Sequence, residues 1–254
     1  MNTNIFQLRE RYETRLVFRI SVFILALVMY FVYPQSFKVM NGFNFLHQLS
    51  WLHLLWIIWV IDMIRQFIPK KGHLPLGSLK QFKQFYIPIR KLLDEKEILL
   101  AYKKNALDSL KVLVIWTFLV AFIGVLWWAK VLKARELLLI TAAFYVLDLV
   151  FVLYWCPFRV WILKNRCCTT CRIFNWDHLM MFSPIIFVPG FFSFSLFGLS
   201  LVIFFAWEIA FMIYPERFCE ETNEALQCRN CTDKLCGNKM IPRRNKNDVE
   251  FINM

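Results

Sequence analysis

Residues 177–215 read DHLMMFSPIIFVPGFFSFSLFGLSLVIFFAWEIAFMIYP, 39 residues in which Glu208 is the only charged side chain after the opening Asp177-His178 pair. Built as one helix, the stretch would be about 58 Å long, against roughly 30 Å for the hydrocarbon core of a bilayer. Tilt does not absorb that excess. Pro184, Pro189 and Gly190 sit where a break is needed. The chain must therefore fold back, either as two crossings (177–190 and 193–215) or as a re-entrant hairpin with a broken helix. Both solutions return it to the side it left, so Cys171 and Cys219 are expected on one face.

Working outward, apolar runs of near-spanning length recur at 16–33, 46–68, 111–129 and 136–156. The chain is 59% hydrophobic and 18% aromatic, with a mean hydropathy of +0.49. A soluble domain is nearer half apolar. The expected class is an all-α polytopic membrane protein with about six spans, the fifth broken by Pro and Gly. Its expected organisation is a first transmembrane hairpin (1–68), an interfacial segment (69–110), a second hairpin (111–156), a Cys-rich loop (157–176), a third hairpin (177–215) and a Cys-rich tail (216–254). No cleavable signal is expected, because Glu10 and Glu13 precede the first apolar run and no small-residue cleavage site follows it.

The net charge of +12 does not argue for nucleic acid as the primary partner, because the basic residues concentrate between the apolar runs. Of 30 Lys and Arg, only Lys38, Lys130, Lys133 and Arg135 fall on one side of the expected topology; the other 26 fall on the opposite side. The positive-inside rule then assigns both termini, segment 69–110 and all the cysteines to the cytoplasm, with the protein in the cell's inner membrane. Within 69–110, Leu79, Phe82, Phe85, Tyr86, Ile89, Leu92 and Leu93 recur at helical spacing, with Lys80, Lys83, Lys91 and Glu95 between them. The pattern fits an amphipathic helix lying on anionic lipid, and equally an apolar stripe packed on the protein's own helices.

All eight cysteines fall after residue 155, in two quartets: Cys156, Cys167, Cys168 and Cys171, then Cys219, Cys228, Cys231 and Cys236. Cytoplasmic thiols are kept reduced, which disfavours a disulfide framework and favours metal ligation or reactive thiols. Cys168-Thr-Thr-Cys171 and Cys228-Arg-Asn-Cys231 have the C-x-x-C spacing that lets two sulfurs of one turn reach a single metal. All-sulfur quartets suit zinc or an iron–sulfur cluster. Pro157 after Cys156, together with the nearby Arg166, Arg172, Arg229 and Lys234, favours the cluster; the C-x2-C-x4-C spacing of 228–236 is compatible with a compact zinc fold. A redox dithiol and palmitoylated or inert juxtamembrane cysteines are the other readings.

Tyr154-Trp155-Cys156-Pro157-Phe158 resembles the juxtamembrane cluster motif of membrane polyferredoxins, with Val152 where that motif has its first cysteine. The run Arg166-Cys-Cys-Thr-Thr-Cys-Arg172 followed by Asp177-His178 resembles the cysteine-rich loop of protein palmitoyltransferases, with Leu179 and Met180 where those enzymes carry a second His and the nucleophilic Cys. Each likeness covers under twenty residues, neither supplies a complete catalytic motif, and no catalytic residue is carried over from either.

Three carboxylates fall inside apolar runs: Asp62, Asp148 and Glu208. A central carboxylate costs roughly 2.5–3.5 kcal/mol to insert, so each is expected to face a partner or water. They are candidates for a proton or cation path, although Arg65 is within local reach of Asp62 and a neighbouring Ser or Trp could satisfy Glu208. Two functions remain: a membrane redox protein passing electrons from iron–sulfur centres to a partner protein or a quinone-like acceptor, or a zinc-stabilised scaffold or transporter-like protein.

Overall fold

The computed structural model describes residues 3–65, 67–68, 76–89, 95–163 and 171–227. Among these residues the chain is helical, with α1 (Thr3–Val32), α2 (Asn44–His47), α3 (Leu52–Arg65), α4 (Leu76–Leu79), α5 (Glu95–Trp128), α6 (Ala134–Leu153), α7 (Asp177–Phe182) and α8 (Phe191–Ile213). Four of them are long and apolar enough to cross a membrane: α1 from Arg9, α5 from Tyr102, and the whole of α6 and α8.

Helices α1 and α6 form the main antiparallel pair. Tyr30 donates to Glu136 at 3.0 Å near one end, and Tyr12 and Leu16 pack with Leu149, Val152 and Leu153 near the other. The fully buried Ala26 on α1 and Ala142 on α6 leave room for close backbones. A second layer of α3, α7 and α8 closes over this pair around Trp59, whose ring lies 5.3 Å from Phe182, 6.2 Å from Tyr145 and 6.4 Å from Phe192.

Two expected spans take a different form. The run 46–68 is divided between the end of α2 and α3, and α3 (Leu52–Arg65) is only about 21 Å long, because the chain turns at Ser50. The Leu52 N–H reaches the Ser50 hydroxyl at 3.4 Å, and the ring of His53 bonds the backbone of Ser50 and, through Nε2 at 2.7 Å, the Phe45 carbonyl. The run 177–190 starts as α7, tightens to a 3-10 turn over Ser183–Phe187 and becomes extended. Pro184 has no N–H for the Met180 carbonyl; the Ser183 hydroxyl bonds that carbonyl instead, at 2.9 Å. Contacts of α7 and α8 with α3 show that 177–191 runs alongside it: His178 stands by Asp62, Phe182 by Trp59, and Phe191 by Trp56.

The far end of this segment is tied to the α1–α3 connection. Gly42 donates to the Pro189 carbonyl at 2.8 Å, and Phe191 donates to the Gly42 carbonyl at 2.9 Å. Gly42 has φ +62, a left-handed conformation that glycine adopts without strain. Gly190 is required for space: a Cβ there would stand 1.8 Å from the Met40 carbonyl oxygen. The chain therefore folds back between Asp177 and Ile213.

The helical stripe expected over 79–93 is not a single helix. Within 76–89 the chain makes one short helix, then turns, and Pro88 bridges to Asn223. Leu79 and Phe82 turn inward, Leu79 being 5% exposed and Phe82 packing edge-on against Trp207 at 5.3 Å, whereas Ile87 is 51% exposed. Leu79 and Phe82 thus pack on the protein's own residues, while Leu92 and Leu93 of the stripe lie outside the described residues.

Candidate functional site

The central feature is an ionic cluster drawn from four helices. Arg19 enters from α1, 9% exposed, and donates to Asp148 of α6 at 2.7 Å and to the Tyr145 carbonyl at 2.8 Å. Its second terminal nitrogen lies 3.4 Å from Asp62 of α3, and its guanidinium stacks 4.2 Å over the Tyr145 ring. From α7, His178 presents Nε2 at 3.9 Å to Asp62, while Nδ1 meets Asp177 at 3.0 Å. Three carboxylates thus surround one guanidinium and one imidazole. A charge so far from water persists only when matched, which explains why these five residues converge.

Sequence reasoning singled out Asp62 and Asp148, and the structure brings them together on one cation. It assigned Arg19 to the flanking positive charge. The signal was present: Arg19 follows Leu16-Val17-Phe18 and precedes an unbroken apolar run, and a charge inside a span calls for a partner on another helix.

Glu208 belongs to a second cluster. Arg172 donates to one of its carboxylate oxygens and the Trp176 indole N–H donates to the other at 2.7 Å. The Arg172 guanidinium also sits 3.8 Å over Phe211. The expectation for Glu208 was a neighbouring Ser or Trp; the tryptophan that bonds it is Trp176, 32 positions away, and an arginine joins it. The three candidate carboxylates therefore divide between two sites.

The described cysteines lie at the end of the bundle where α6 finishes and α8 finishes. Cys156 and Cys171 line one cavity of about 250 Å³, with Asp148, Asp177 and Arg159 among its walls. Cys219, 2% exposed, accepts from the Asn105 side-chain amide at 3.5 Å. Burial, reinforced by the Glu221 carboxylate, pushes its thiol up to about 12, against partial relief from Asn105 and the charge of Arg172. Cys219 thus feels the charge of Arg172, the residue that follows Cys171 and lies 47 positions earlier in the sequence. Among the described residues no three His, Cys, Asp or Glu side chains are grouped to hold a metal. Cys167, Cys168, Cys228, Cys231 and Cys236 lie outside the described residues.

A network of amides fastens this end. Asn223, fully buried, donates to the carbonyls of Lys80 and Arg217 at 3.0 and 2.8 Å and accepts from Ala225 at 3.1 Å. Asn175 accepts from Ser78 and donates to Gln81, both at 2.7 Å. Segments 76–89, 171–176 and 215–227 are thereby joined. Nothing in the hydropathy pattern singled out Asn175 or Asn223, since a buried amide reads like any polar loop residue.

No family model, curated protein or solved structure matches the chain.

Proposed function

We propose that the protein is a six-span redox protein of the cell's inner membrane, with both termini and its cysteines in the cytoplasm, where those cysteines hold iron–sulfur centres that pass electrons at the membrane. The observation that carries this reading is that Cys156 and Cys171 share the wall of one cavity, while Cys219 feels the charge of Arg172, the residue that follows Cys171. Basic residues offset the negative charge of a thiolate cluster, and an amide donating to sulfur, as Asn105 does to Cys219, is one of the levers that tune such centres. The cysteines of both quartets would be the ligands, and the centre would supply one-electron transfer. A redox partner protein would dock on this face, and residues 69–110 would meet anionic lipid around it.

The amide network favours a second reading. Asn175 and Asn223 fasten the cysteine-bearing segments as a structural knot does, which suits zinc in a scaffold or transporter-like protein. Anaerobic purification followed by iron, acid-labile sulfide and zinc analysis decides between them. Iron and sulfide in stoichiometric amounts, with a brown colour, support the redox reading; zinc alone supports the scaffold. Neither metal would overturn both.

A further inference from the structure

Helices α5 and α6 are joined by a short turn, yet the segments Phe158–Leu163 and Ser183–Phe187 pack against α5, and Ser183–Phe187 also packs against α6. The hairpin is held open, and the cavity of about 250 Å³ lies in the gap. Leu119 on α5 and Leu147 on α6 belong to its wall and are 39% and 38% exposed on helices long and apolar enough to cross the membrane. The mouth therefore faces lipid, and what enters comes from the bilayer.

The lining combines the aromatic Trp116, Phe144 and Phe151 with a polar group of Arg159, Asp148 and Asp177. Arg159, 1% exposed, supplies donors, while Asp148 and Asp177 supply acceptors. Asp148 is already paired with Arg19, and Asp177 with His178. The site therefore does not present the bare carboxylate that would select an amine. It suits a neutral ring whose oxygens can both accept and donate. Its volume, below the roughly 300–1,000 Å³ of pockets for drug-sized ligands, fits one ring system with its tail left in lipid.

We propose that this cavity binds the head group of a membrane quinone, in its quinone or quinol form, between the aromatic walls of α5 and α6. The carbonyl oxygens face Arg159, and the hydroxyls of the reduced form face the two aspartates. The ring lies beside Cys156 and Cys171. The proposal rests on the redox reading above for its purpose, but not for binding itself.

The test is photo-crosslinking of the purified full-length protein with an azido-quinone, with the labelled peptides mapped by mass spectrometry. The labelling is competed with unlabelled short-chain ubiquinone, with menadione and with oleate. Saturable labelling of α5 and α6 residues around the cavity is expected, competed by a quinone and not by oleate. Leu147→Trp, which fills the mouth from an exposed position, should weaken competition by at least tenfold, while Val202→Trp on an exposed face of α8 should leave it unchanged. Circular dichroism and gel filtration establish that both variants fold. Non-saturable labelling, labelling elsewhere, equal competition by oleate, or unaltered affinity in Leu147→Trp would each overturn the proposal. Metal analysis of the same sample separates the two readings: quinone binding without iron sinks electron transfer and leaves the site standing, and iron without quinone binding does the reverse.

Discussion

Replacing Arg19 by Met tests whether the ionic cluster holds the bundle together. Methionine keeps an unbranched apolar stem and removes the charge. At an effective dielectric near 20, a unit pair at the 2.7 Å separation of Arg19 and Asp148 attracts by about 6 kcal/mol, and one at the 3.4 Å of Arg19 and Asp62 by about 5 kcal/mol. Desolvation of the guanidinium and the carboxylates offsets most of this. What remains measurable on breaking a buried pair is about 3–5 kcal/mol, because the partner charge is left stranded. The Arg19 and Asp148 side chains are 11% and 22% exposed, so solvent screening removes little. In the variant, Asp62, Asp148 and Asp177 would face one another with only His178 among them. Arg19→Met should therefore lose about 3–5 kcal/mol in a dodecyl sulfate unfolding titration followed by circular dichroism. The double variant Arg19→Met/Asp148→Leu removes the stranded charge with the cation, and should recover at least about 2 kcal/mol relative to the sum of the single variants. A loss under about 1 kcal/mol, or strict additivity, would refute the cluster as the organising contact.

Glu208→Ala should cost about 3–5 kcal/mol by leaving Arg172 without its carboxylate, and Glu208→Gln, which still accepts from Trp176, should cost less; unfolding titrations of both check the order. Gly190→Ala drives a Cβ into the Met40 carbonyl and should destabilise by about 2–4 kcal/mol, seen as a lower melting temperature in detergent. Asn223→Ala should cost about 2–3 kcal/mol and raise the protease sensitivity of residues 80–89, because the Lys80 and Arg217 carbonyls lose their donor. In metal-free protein Cys219 should alkylate about a thousandfold more slowly at pH 8 than an ordinary thiol, from the thiolate fraction alone. Since folding raises this pKa from 9.0 to about 12, the folded chain keeps a proton that the unfolded chain releases, and stability should fall as pH rises through that window. Fast alkylation at pH 8 would contradict the burial.

The sequence carried most of the architecture and only part of the site. Apolar run length located α1, α5, α6 and α8 because hydropathy integrates over many residues and tolerates errors at the ends. The same measure overextended α3: Trp51 and Leu52 continue the apolar run through Ser50, where the backbone turns, and hydropathy does not register a hydroxyl that bonds a backbone N–H. Fold-back of 177–215 was legible from length and the two prolines, whereas its anchor at Gly42 depends on a backbone pairing between residues 148 positions apart. Asp148 was legible as a charge in need of a partner. That the partner is Arg19 and not a nearer residue depends on the antiparallel register of α1 against α6, which no local window contains.

The segment from Cys171 to Phe182 ties the two ionic clusters to the cysteines by a short path. Cys171 lines the cavity, Arg172 and Trp176 hold Glu208 of α8, and Asp177 and His178 enter the Arg19 cluster. These contacts arise within eight residues, carried by one 3-10 turn and the start of α7. A tight helical stretch of this kind cannot move Cys171 while leaving Trp176 and His178 in place, since each side chain is gripped from a different helix. A change of charge or ligation at Cys171 must therefore be absorbed locally at its own turn or work against both ion clusters together. With about 3–5 kcal/mol holding each buried pair, the first outcome is the cheaper one. The clusters thus fix the geometry around Cys171 instead of following it.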